Sequence, residues 1–77
     1  MSPKLPRVTA SELVRALKRA GWEEMRQTGS HLHLANTKFP GQLITVAVHA
    51  GRVVPLGTLK AILDTAGLSG DELRDLL

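Results

Sequence analysis

Ser30-His31-Leu32-His33-Leu34-Ala35 and, after residues 36–42, Leu43-Ile44-Thr45-Val46-Ala47-Val48-His49 decide how this chain folds. Both stretches alternate. Leu32 and Leu34 interleave with His31 and His33; Ile44, Val46 and Val48 interleave with Thr45, Ala47 and His49. Successive side chains on a strand point to opposite faces. Two strands, Ser30–Ala35 and Leu43–His49, therefore bury their aliphatic sets on one face. His31, His33, Thr45 and His49 are placed on the other, wetter face.

Moving outward, Trp22–Gln27 reads as a first strand with imperfect alternation. Trp22 and Met25 are both core candidates, which strict period two does not allow, so a bulge or a twisted edge is expected there. Thr28-Gly29 reads as the tight turn into the second strand. Asn36–Gln42 is a turn-rich connection. Short links favour an antiparallel meander. Before the strands, Thr9-x-x-Glu12 is a capping box, with Val8 and Leu13 at the staple positions. Leu13, Leu17 and Ala20 continue an apolar stripe, and Gly21 ends the helix. After the strands, Pro55 or Gly57 opens a second helix carrying Leu59, Ile62, Leu63 and Ala66, closed by Gly67-Leu68. Ser69-x-x-Glu72, with Leu68 and Leu73, starts a short last helix. The order is α-β-β-β-α plus a short C-terminal helix. It is an α+β domain whose helices cover one face of a three-stranded antiparallel sheet. One domain is expected over residues 1–77, with 1–7 as a flexible tail.

The chain has 77 residues and 43% hydrophobic residues, a composition for a small globular core. It has no cysteine, which removes disulfides, thiol chemistry and zinc–thiolate sites. No apolar run is long enough to cross a bilayer. No leader segment is visible, so a soluble, cytoplasmic protein is expected. Net charge is +3, unevenly spread. Residues 1–60 hold nine Lys or Arg against three acids, whereas 61–77 hold one against four. A basic body of this kind attracts polyanions.

The open face carries the candidate chemistry. His31 and His33 at i, i+2, with His49 as a third, have ligand types suited to Zn, Ni or Cu. No carboxylate on the histidine strands completes such a set, and no metal or other cofactor is expected. Ser30 and His31 are adjacent on a strand and point to opposite faces, so they do not form a nucleophile–base pair. Ser30 is expected to hydrogen-bond the backbone at the turn. RNA requires neither metal nor protein nucleophile, because its own 2′-OH attacks the adjacent phosphate once a base removes the proton. An imidazole titrates near neutrality and serves as that base or as the acid. Gly29 has no Cβ and lets a phosphate approach the turn. Pattern alone leaves two readings of His31 and His33: an acid/base site, or ordinary exposed strand residues.

The ordered motifs Ala20-Gly21-Trp22, Arg26-Gln27-Thr28-Gly29-Ser30-His31, Val46-Ala47-Val48-His49-Ala50-Gly51, Gly57-Thr58-Leu59-Lys60-Ala61-Ile62-Leu63 and Ala66-Gly67-Leu68-Ser69 span nearly the whole chain. In them the sequence resembles the HicA toxins of bacterial and archaeal toxin–antitoxin pairs. The resemblance implies a fold similar to the double-stranded-RNA-binding domain. It implies a metal-independent endoribonuclease that cleaves mRNA, and a HicB-like antitoxin that covers the active face. The family's catalytic histidine maps onto His31. Gly29 and Ser30 shape the turn that presents it; Arg26, His33, Lys38 and His49 are candidates to contact RNA. The chain departs from the family in having Thr28 where Lys is frequent, which removes a cation beside the motif. It also has Ala47 where Pro is common, and Pro55-Leu56 where a basic residue often stands. The alternative is a non-catalytic RNA-binding module on the same fold, using Arg15, Lys18 and Arg19 of the first helix.

Overall fold

The computed structural model describes residues 5–77. Its elements are α1 (Ala10–Arg19), β1 (Glu23–Thr28), β2 (His31–Ala35), β3 (Leu43–Ala47), α2 (Leu56–Ala66) and α3 (Gly70–Leu76). The three strands form one antiparallel sheet in the order β1-β2-β3. This is the expected α-β-β-β-α layout with a third, C-terminal helix.

Local chemistry sets the helix ends. Thr9 caps α1 with its hydroxyl on the Glu12 N–H, and Glu12 Oε1 accepts from the Thr9 N–H at 2.8 Å, so both halves of the capping box are made. At the other end the chain turns left-handed at Gly21 (φ 100°). Trp22 N–H then reaches back to the Leu17 carbonyl and Gly21 N–H to that of Lys18, which satisfies the last turn. A side chain at Gly21 would meet Asn36 Nδ2 at 3.2 Å as well as the strained φ. Pro55, not Gly57, is the cap of α2: Leu56 is the first helical residue, and the Pro55 carbonyl accepts from Leu59 N–H. Ser69 and Glu72 form the second complete capping box.

One apolar cluster joins all the layers. Leu32 and Leu34 of β2 and Ile44 and Val46 of β3 meet Leu13, Ala16 and Leu17 of α1 and Leu59, Ile62 and Leu63 of α2. Both long helices thus lie on the same face of the sheet. Leu13, Leu17, Leu34, Leu59 and Leu73 are fully enclosed, and each such burial stabilises by roughly 1.5–3 kcal/mol. Leu73 brings α3 onto α1, where the Arg19 Nη1 also donates to the Leu76 carbonyl at 2.7 Å. Of the expected tail, residues 1–4 lie outside the described residues. Leu5 and Pro6 are half-buried, and Leu5 packs against the core. Val8 is buried, and its carbonyl accepts from Val54 N–H at 2.8 Å.

Two details of the strands differ from the sequence reading. The bulge in β1 is present, as a register shift between Glu24 and Arg26. It does not deliver both core candidates. Trp22 is 1% exposed, just before the strand, whereas Met25 in the irregularity is 62% exposed. β1 is an edge strand, and all six of its residues are exposed. The third strand stops at Ala47 rather than His49. Val48 N–H still bonds the Ser30 carbonyl at 2.6 Å, but β2 begins at His31 and offers no partner further on. The chain then turns, with Arg52 N–H on the His49 carbonyl and Gly51 at φ 72°.

Candidate active site

Among the described residues no helix lies on the second face of the sheet, and the strand register arranges it in rows. Thr28, His31 and Ala47 form the row nearest the β1–β2 turn; Arg26, His33 and Thr45 form the next; Glu23, Ala35 and Leu43 form the third. Directly paired residues share a face with Cβ atoms roughly 4.5–5.5 Å apart. The first row sets exposed His31 between a threonine and an alanine, with small neighbours on either side. The second row sets half-buried His33 between a guanidinium and a hydroxyl. His33 Nδ1 lies 2.9 Å from Thr45 Oγ1, a hydrogen bond whose donor depends on the imidazole tautomer. Two residues apart on one strand, the imidazoles start from Cα positions on the order of 7 Å apart.

Thr28 pairs with His31 across only two residues, so Gly29-Ser30 is the turn. The turn thus lies one residue later than the Thr28-Gly29 expected from the sequence. Gly29 has φ 59° and Ser30 does not have positive φ. That is the signature of a II′ hairpin turn, which takes glycine first. The Gln27 side-chain amide donates to the Gly29 carbonyl at 3.0 Å and ties the turn to β1. Apart from Gly29 itself and its two chain neighbours, no atom of the described residues lies within 4 Å of where a Gly29 Cβ would be, so the turn is open to an approaching group. Ser30 holds the turn through its carbonyl, which accepts from Val48, and not through the hydroxyl that the sequence suggested.

Five of the candidate residues converge here: Gly29 and Ser30 at the turn, His31 in the first row, and Arg26 with His33 beside it. Two do not. Lys38 lies in the β2–β3 connection, beyond the far end of β2 and at least about 13 Å along the strand from His31. His49 falls past the end of β3, so the alternation that placed it with His31 no longer applies. Together with Arg52 it lines an apolar groove of about 230 Å³ formed with Ala10, Val46, Val54 and Ile62. Among the described residues, no three His, Asp or Glu side chains are grouped as metal ligands. Thr45 is a functional candidate that only the structure reveals. Alternation shows which face it takes; only the β2–β3 register sets it against His33.

The cations of α1 are largely engaged. Lys18 pairs with Glu24 of β1, and Arg19 is bound to the end of α3. At the start of α1 the Thr9 backbone N–H first, and then the Thr9 hydroxyl, hold the Glu12 carboxyl below the usual glutamate range.

A search of curated proteins returns no match. A family model described as the HicA toxin of bacterial toxin–antitoxin matches residues 10–68, from the first residue of α1 to the residue before the α3 cap. That span contains every row of the open face and both long helices, and leaves α3 outside. The chain belongs to the HicA toxin family of bacterial toxin–antitoxin systems.

Proposed function

We propose that this protein is a metal-independent endoribonuclease that cleaves mRNA in the cytoplasm, with His31 as general acid or base, and that a HicB-like antitoxin inhibits it by covering the open face. The observation that carries the reading is the position of His31: an exposed imidazole on a helix-free sheet face, beside a glycine turn with open space above it. RNA supplies its own nucleophile. A base takes the proton of the 2′-OH, the 2′-oxygen attacks the neighbouring phosphorus, and the bond to the 5′-oxygen breaks as that oxygen receives a proton. One well-placed imidazole contributes on the order of 10²–10⁴-fold to such a step. Arg26 and the backbone N–H groups of the turn are placed to meet the charge that builds on the phosphate.

The basic body of the chain supports an RNA partner of either kind, bound or cleaved. A non-catalytic module that grips RNA through α1 is less well supported, because Lys18 and Arg19 are already engaged within the fold. The test is cleavage of single-stranded RNA in EDTA by wild type and His31→Ala, both shown to be folded. Wild type cleaves, and His31→Ala loses 10²-fold or more, in line with the loss of one acid/base group (about 10²–10⁴). Intact RNA in both lanes with salt-sensitive binding would leave the binding module as the correct account.

A further inference from the structure

We infer that His33 is the second proton-transfer residue of this site, with Thr45 as its positioning residue. The inference rests on the ribonuclease reading above. Cleavage through the 2′-OH needs two proton transfers, one from the nucleophile and one to the leaving oxygen, and His31 serves only one of them at a time. His33 is next to it on the same face, one row in.

Three observations separate His33 from a residue that merely touches phosphate. Its Nδ1 is held by Thr45 Oγ1 at 2.9 Å, which fixes the ring plane and leaves Nε2 as the working nitrogen. Proton transfer needs that fixed geometry, since donor and acceptor must come within hydrogen-bond reach; charge attraction does not. The residue is half-buried, with Arg26 of β1 on one side of it and Thr45 of β3 on the other. Its neighbour across β1 is Arg26, a cation placed to hold a phosphate against both imidazoles. The groups facing His33 are Arg26 from β1, Thr45 from β3 and His31 from its own strand, and β3 brings no charge.

The balance of the step is complete with these two residues. One imidazole accepts the 2′-OH proton. The 2′-oxygen forms its bond to phosphorus, the phosphorus–5′-oxygen bond breaks to leave a 2′,3′-cyclic phosphate, and the other imidazole gives its proton to the departing 5′-oxygen. A final proton exchange with water restores both.

The experiment is the pH–rate profile of RNA cleavage by wild type, His33→Ala and Thr45→Val, beside His31→Ala. Wild type gives two limbs. His33→Ala loses 10²-fold or more in kcat and one limb, while His31→Ala loses the other. Thr45→Val lowers kcat by a smaller factor and displaces only the limb that His33→Ala removes. A 5′-bridging phosphorothiolate RNA, whose leaving group needs no acid, restores cleavage in one histidine variant and not in the other. Both limbs surviving in His33→Ala, or a loss confined to KM, would overturn the inference and leave His31 standing. No cleavage by folded wild type would remove the ribonuclease reading itself, and the inference with it.

Discussion

The two faces of the sheet are built from the same ten residues of β2 and β3, and they do opposite things. On one face Leu32, Leu34, Ile44 and Val46 disappear under α1 and α2. On the other, His31, His33, Thr45 and Ala47 face outward with no helix above them. The difference arises from alternation alone, since a one-residue slip would exchange the two sets. Packing and chemistry are thereby separated by one position along the chain. Substitutions in adjacent residues are expected to fail in different assays.

The sharpest form of that contrast is His31→Ala beside Leu34→Ala. The first is expected to remove RNA cleavage by roughly 10²–10⁴-fold while shifting stability by no more than about 0.5 kcal/mol, as for other exposed positions. The second leaves a hole in an enclosed core and costs roughly 2–5 kcal/mol in urea or thermal unfolding. If His31→Ala unfolds, the division between the faces is wrong. Gly29→Ala tests the junction between them. Nothing blocks the added methyl, so its cost comes from φ 59° and is about 1–2 kcal/mol. Cleavage falls as well, because the turn no longer presents His31. An unchanged melt would show that the turn relaxes without strain.

The smallest effect belongs to the covered side, at the start of α1. Because the Thr9 N–H and hydroxyl hold Glu12 below the usual glutamate range, its ionised form favours the folded chain. That contribution is present above the unfolded value and is lost as pH falls through the lowered folded value. Wild type therefore melts above Glu12→Gln at neutral pH, and the gap closes as acid carries Glu12 through that window. A gap that stays constant on acidification would assign the cap to hydrogen bonding without charge.

Much of this was legible from residue types at short spacing. Thr9-x-x-Glu12 and Ser69-x-x-Glu72 formed the boxes their spacing requires, and Gly21 and Gly67 took the left-handed ends. Leu32 and Leu34, and Ile44 and Val46, took the buried face. Met25 and His49 show where such reading stops. Periodicity treats Met25 as a core candidate, but burial requires something to cover it, and Met25 in the irregularity of β1 lines an open surface pocket with Glu23 and Ala35. For His49, alternation holds only while the strand has a partner, and β2 ends first.

Sequence by itself determined the order of elements, the capping boxes of α1 and α3, and which side chains of β2 and β3 are buried, because all of these follow from patterns within a few residues. The tertiary structure decided which residues meet across strands. Arg26, His33 and Thr45 lie up to nineteen positions apart in sequence yet occupy one row. Lys38 is only seven positions from His31 and sits past the other end of the strand. Pairing register and sheet order, which depend on how helices and strands close over a common core, set those distances.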